Sequence, residues 1–273
     1  MSESVIRVAA AQMNCQDDVA ANLGVASELV SEAARRGARL VLLPENFAFL
    51  GPEPERRALA ERLGDERAPI QEALARMARS ARLTVIAGGF PERSDDPERP
   101  YNTCLVLGPD GERVAAYRKI HLFDVALPDG TKFEESSATS PGSKPVVADV
   151  GGFKVGLSIC YDLRFPELYR SLVDGGAELL VVPAAFTLTT GKDHWHVLLR
   201  ARAIESQCWV IAAAQWGRHP RGRASYGHAL IADPWGQIVA ECSDRVGLVV
   251  ADLDRDYLDR VRASLPSLAH RVL

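Results

Sequence analysis

Apolar runs rich in Val, Ile and Leu alternate with stretches of helical periodicity, and the whole alternation occurs twice along the chain. In the first pass, residues 5–11 read as a strand. Asp17 or Asp18 stands where it can cap a helix that carries Val19, Leu23, Ala26, Val30 and Ala33 on one face and stops at Gly37. Residues 39–43 read as a buried strand, Ile70, Leu74 and Met77 mark a second helix, and residues 83–87 form the next strand. Strands at 103–107 and 113–117 then close a hairpin around Gly108-Pro109-Asp110-Gly111. The second pass echoes the first. Residues 154–159 form a strand, and Pro166 opens a helix that ends at Gly175-Gly176, the usual proline start and glycine stop. A strand at 178–182, a helix at 193–207 and a strand at 209–213 follow. Another hairpin, 224–232 with 237–241, turns at 233–236; a last strand at 246–251 precedes a short helix near Tyr257. Two such halves predict two similar sheets packed face to face with helices outside, a four-layer α-β-β-α sandwich in one α/β domain. No GxGxxG follows any strand, which argues against a dinucleotide-binding sheet.

Composition removes whole classes of function. With 32 Lys and Arg against 36 Asp and Glu, the net charge is −4, and the chain has no electrostatic footprint for nucleic acid or an anionic membrane. The longest apolar runs, such as 179–186, fall far short of a membrane span, and the N-terminus lacks the pattern of a secretory signal. Five cysteines, at 15, 104, 160, 208 and 242, show no CxxC spacing. That pattern fits reduced thiols in a cytoplasmic protein, one of them free to be reactive. Residues 91–100 and 128–144 read as long exposed loops, and loops of that length inside a compact domain are often functional.

In α/β sheets, ligand sites gather beyond the carboxyl ends of strands. Glu45 stands there after an apolar run, where burial is expected to raise its pKa and fit it for general-base work; a structural carboxylate accepting backbone N–H bonds is the plain alternative. Cys160 sits where a strand breaks into Tyr161-Asp162-Leu163-Arg164, a junction that presents a nucleophile and nearby N–H groups. Most buried cysteines are inert hydrophobes, and the other four fit that description. Lys119 ends a strand, where an ammonium can stabilise an oxyanion or be an ordinary solvated charge. His121, two residues on, competes as a base. His194 and His196 form a weak metal pattern that nothing nearby in sequence completes, so neither metal nor cofactor is expected.

Taken together, Glu45 in LLPENF, Lys119 in YRKIHLF and Cys160 in GLSICYDLRFPEL resemble the three catalytic blocks of the nitrilase, or carbon–nitrogen hydrolase, superfamily. The similarity runs from about residue 5 to the C-terminal PSLAHR, a single domain with its core over about 5–252. The resemblance implies the same α-β-β-α sandwich. It implies Cys160 as nucleophile, Glu45 as general base and later acid, and Lys119 as the oxyanion-stabilising cation. A second glutamate of the family, in the loop before the cysteine block, matches Glu135, with Glu134 adjacent. Residues 253–273 are implied to lie at a homodimer contact. The segments HLFDV, HWHVLLRARAIESQC, AAAQWGRH, RASYGH and DPWG resemble the members that hydrolyse small linear amides of keto acids.

Such an amide brings a carboxylate, for which Arg164 is a natural fork unless it pairs with Asp162 or Glu167. Tyr161, through its N–H, and Phe186 and Thr187, after the strand, are placed to meet the substrate. Two other readings stand beside the amidase: a hydrolase of nitriles or N-carbamoyl amines, and a binding protein on the same fold, which the intact Glu45, Lys119 and Cys160 oppose.

Overall fold

Both passes fold largely as the periodicity predicts. In the computed structural model, residues 4–65, 68–126, 130 and 132–272 are described. The first half comprises β1 (Val5–Met13), α1 (Val19–Arg35), β2 (Leu40–Leu43), α2 (Glu53–Ala58), α3 (Pro69–Ala81), β3 (Thr84–Glu92), β4 (Tyr101–Leu107) and β5 (Arg113–Arg118). A small separate hairpin follows, β6 (Asp124–Ala126) with β7 (Lys132–Glu134). The second half comprises β8 (Val147–Val150), β9 (Phe153–Leu157), α4 (Pro166–Asp174), β10 (Leu179–Ala184), α5 (Leu188–Ser206), β11 (Trp209–Arg218), β12 (Ala224–Tyr226), β13 (Leu230–Ala232) and β14 (Ile238–Glu241), then β15 (Gly247–Asp254) and α6 (Arg255–Ser264).

The strands form two leaves. One runs β5-β4-β3-β2-β1-β15 and the other β8-β9-β10-β11-β13-β14. Strand side chains alternate between layers. Val8, Ala10, Leu40, Leu42, Ile86 and Val106 pack with the second leaf, while Ala9, Ala11, Val41, Leu43, Val85 and Leu105 pack with α1 and α3. Each fully buried Leu or Val contributes about 1.5–3 kcal/mol, so a one-residue slip in β2 costs several such terms at once. α4 and α5 cover the outer face of the second leaf, through Leu168, Leu172, Trp195 and Leu199. The four-layer α-β-β-α sandwich is therefore the fold.

The sequence predicts two separate sheets, but the leaves are joined. The last residues of β1 and β11 pair in parallel, Gln12 with Ala214 and Met13 with Gln215, so hydrogen bonding continues across one corner. The final strand, β15, crosses back to pair antiparallel with β1 along its length.

Local chemistry explains the boundaries. Asp18 caps α1 by accepting from Ala21 N at 3.0 Å. α5 begins at Leu188, five residues before the expected start; its first turn, Leu188-Thr189-Thr190-Gly191, is poor in strong helix formers, so helical patterning does not mark it. Gly191 in that turn is required: a Cβ there would lie 2.3 Å from Tyr226 Cβ. The expected strand 224–232 splits into β12 and β13 at Gly227 and His228, both with positive φ. The polar stretch 91–100 is less exposed than expected at its start, since Pro91 and the buried Glu92 complete β3. Of the loop 128–144, residues 128, 129 and 131 lie outside the described residues, and β7 and a 3₁₀ turn at Glu135–Ser137 occupy its middle. Cys104 lies in the middle of β4.

Candidate active site

The carboxyl ends of β2, β5, β9 and β10 point to one place. Glu45 lies two residues past β2, Lys119 one past β5, Cys160 three past β9 and Ala185 one past β10. A bulge in β3 lets them meet. The register with β4 shifts between Ala87 and Phe90, and the two glycines inside that interval leave room. A Cβ on Gly89, at φ +69°, would fall 2.8 Å from Glu45 Cγ, and one on Gly88 would overlap the Pro183 ring. Asn46 N donates to Gly89 O at 2.9 Å, with Asn46 itself left-handed at φ +60°, so the backbone turns sharply immediately after Glu45.

Lys119 is 2% exposed, and its ammonium lies between two carboxylates. Nζ is 3.0 Å from Glu45 Oε1, and 3.0 and 2.8 Å from Glu135 Oε1 and Oε2. Glu135, and not its neighbour Glu134, makes these contacts, and Phe123 N holds it at 2.7 Å. Glu45 Oε1 also accepts from Asn102 Nδ2 at 2.9 Å, Oε2 accepts from Ala185 N at 3.0 Å, and Gln215 Nε2 donates to the Glu45 carbonyl at 2.9 Å. Cys160 is nearly buried, adopts φ +48° at the start of a 3₁₀ turn, and its thiol faces the Glu45 carboxylate. For a non-glycine residue that backbone is uncommon and clusters at functional sites.

The charges set one another. Burial pushes Glu45 up, as expected from sequence. However, the Lys119 charge and hydrogen bonds from Cys160, Lys119 and Ala185 N outweigh burial and hold the carboxyl below its ordinary range. Burial lowers Lys119, but Glu135 and Glu45 together raise it well above its ordinary value. The Cys160 thiol is pushed well up, by burial first and then by the Glu45 charge, against the pull of Lys119. At neutral pH the resting site is thus a thiol, a carboxylate and an ammonium.

These groups line a cavity of about 610 Å³ that also contains Tyr161, Arg164, Phe186 and Thr187. Arg164 pairs with neither Asp162 nor Glu167. Its guanidinium lies 5.1 Å from the Phe186 ring and 5.9 Å from the Tyr161 ring, with Nη1 3.3 Å from His194 Nδ1. Asp162 is fully buried and accepts from Ile159 N, His121 N, Tyr117 Oη and the His121 ring at 2.7–3.0 Å. His121 therefore serves the turn and stacks on Phe165 at 3.7 Å; it does not line the cavity. Sequence reasoning missed Asn102, which bridges toward both glutamates, and Arg221, at the cavity wall. Nothing about YNT or HPRG marks either residue in one sequence. The four other cysteines are buried and free; burial pushes Cys15 and Cys208 up to about 12 and Cys242 to about 11.

Residues 7–263 match the carbon–nitrogen hydrolase family, and the chain belongs to it. It is 48% identical over 267 residues to the deaminated glutathione amidase of Synechocystis sp., covering 97% of each chain. Its fold matches the crystal structure of the NitFhit protein of C. elegans with a TM-score of 0.92 at 39% identity, covering all of this chain and 66% of that fusion protein. An amidase from Nesterenkonia sp. AN1, solved with acrylamide added to its active-site cysteine, matches with a TM-score of 0.78 at 29% identity, covering 96% and 98% of the two chains.

Proposed function

We propose that this carbon–nitrogen hydrolase cleaves deaminated glutathione to 2-oxoglutarate and cysteinylglycine through a Cys160 acyl-enzyme. The observation that carries the reading is one buried ammonium held by two carboxylates beside a buried thiol, at the floor of an open cavity. The likeness to the Synechocystis amidase supports the substrate.

In this reading Glu45 takes the thiol proton as Cys160 sulfur attacks the amide carbonyl. Lys119 and the Tyr161 N–H hold the tetrahedral oxyanion. As the C–N bond breaks, protonated Glu45 gives its proton to the departing amine. Water then enters, Glu45 takes its proton, and hydroxide attacks the thioester. Collapse releases the acid, and the proton on Glu45 returns to the sulfur. Glu135 keeps Lys119 charged and aimed. A positioned base typically contributes about 10²–10⁴-fold and one oxyanion donor a similar factor.

The substrate carries a carboxylate at each end. Arg164, beside the Phe186 ring, is the fork for the keto-acid end, and Thr187 lines the same cavity. Arg221 lines the same cavity and pairs with no carboxylate among the described residues, which suits it to the glycine end. An amide losing only ammonia, such as α-ketoglutaramate, has no second carboxylate to place there.

The test is a coupled assay on deaminated glutathione beside α-ketoglutaramate, a nitrile and an N-carbamoyl amino acid, with Cys160→Ala as control. Preference for the first, abolished in the control, is expected. Preference for α-ketoglutaramate keeps the chemistry and overturns the substrate. We also infer a homodimer that uses residues 253–273. Val197 and Ile204, 66% and 49% exposed on the outer face of α5, are apolar surface that a second copy can cover. Sedimentation of the chain with and without the C-terminal segment tests this.

A further inference from the structure

Sequence spacing pairs His194 with His196, but the fold separates them: His194 turns to Arg164, and His196 meets His228 and Glu241. His196 Nε2 lies 2.8 Å, and His228 Nδ1 2.7 Å, from the same carboxylate oxygen, Glu241 Oε1. The three come from α5, from the turn between β12 and β13, and from the end of β14, so no local sequence pattern marks them. We propose that they form a zinc site.

Four observations carry this. The donor set, two imidazoles and one carboxylate, is one that zinc takes, leaving a fourth position for water. The donor atoms converge already. Tetrahedral bonds of about 2.0–2.2 Å need donors somewhat over 3 Å apart, so entry of the ion spreads the present contacts by about half an ångström. The second nitrogen of His228 faces a further carboxylate, Asp244 Oδ1 at 3.4 Å, the carboxylate–histidine–metal arrangement that fixes tautomer and ring orientation. Finally, Tyr226 fixes both rings: His228 stacks on it at 4.5 Å and His196 meets it edge-on at 5.8 Å. Both imidazoles are about one-quarter exposed, which leaves the ion a route in.

The site stands apart from the cavity that holds Cys160, yet Tyr226 links them through its N–H to Phe186 O at 2.9 Å. Zinc here clamps α5 to the β13–β14 hairpin and stiffens that wall.

The test titrates tag-free, chelator-treated full-length protein with Zn²⁺ by calorimetry, and with Co²⁺ by absorption. The expected result is one ion per chain with dissociation constant in the micromolar range or below. Tetrahedral Co²⁺ bands should appear with no thiolate-to-cobalt charge-transfer band, which separates this site from Cys160. Glu241→Gln and His228→Asn should each weaken binding by about tenfold or more; asparagine tolerates the positive φ of position 228. Zinc should also raise Tm in the parent and not in the variants. Absence of binding at 100-fold molar excess, or binding unchanged in both variants, overturns the proposal.

Discussion

Two buried carboxylates flank Cys160, and they differ in what their oxygens still have free. Asp162 is wholly enclosed. Its oxygens accept from Ile159 N, Tyr117 Oη, His121 N and the His121 ring, and it does not line the cavity beside Cys160. Glu45 is equally buried, but it faces the cavity and shares its contacts with an ammonium, an amide and the thiol itself. Asp162 has only donors of fixed structure around it and holds the turn that carries Cys160. Glu45 faces the thiol whose proton moves in the proposed mechanism. Burial alone does not identify a working carboxylate; the identity of its donors does.

The largest expected effect is on Glu45. Glu45→Gln keeps the volume and removes the proposed base, so kcat/KM should fall by about 10³-fold or more while Tm moves by a few degrees. Asp162→Asn should do the reverse. An amide nitrogen placed among these donors leaves a buried N–H facing N–H or O–H groups, costing about 1–3 kcal/mol, and thermal unfolding should show a Tm loss that exceeds that of Glu45→Gln. Equal losses of activity and stability in both variants would erase the comparison. Lys119→Met comes next. It leaves Glu45 and Glu135 buried without their cation, so it should lose both about 10²–10³-fold in kcat and several degrees of Tm; a variant with intact kcat would remove Lys119 from the oxyanion site.

How much of this was legible in the sequence follows the same division. The doubled alternation fixed the layers because period-2 patterning and glycine stops are local. The three residues at strand ends were visible because strand ends are where sites form. The direction of the Glu45 shift was not, since burial and Lys119 oppose each other and only geometry says which prevails. Asn102, Arg221 and the meeting of His196 with His228 and Glu241 are long-range juxtapositions, and no spacing encodes them. The join of β1 to β11 is likewise set by how two distant strands end.

Arg221 tests the reading at the cavity mouth. Arg221→Ala should raise KM for deaminated glutathione about tenfold, worth about 1.4 kcal/mol, and leave α-ketoglutaramate unchanged. A loss on both substrates would place Arg221 in the fold and not in recognition.

The smallest effect is in acid stability, and it isolates Glu45. Its folded carboxyl sits below the ordinary value of 4.5, because Lys119 and three hydrogen bonds outweigh burial. A depressed carboxyl contributes stability that is full above the unfolded value and is lost as pH falls through the folded one. The Tm difference between the parent and Glu45→Gln should therefore stay constant from pH 7 to about 5. Below about 4.5 it should shift in favour of the variant, which has no such proton to take up. Lys119 is raised, so its own contribution is complete throughout that window and is lost only in strong alkali. A difference that stayed flat down to pH 3 would mean that Glu45 is not held down by Lys119, and the contrast between the two buried carboxylates would lose its electrostatic half.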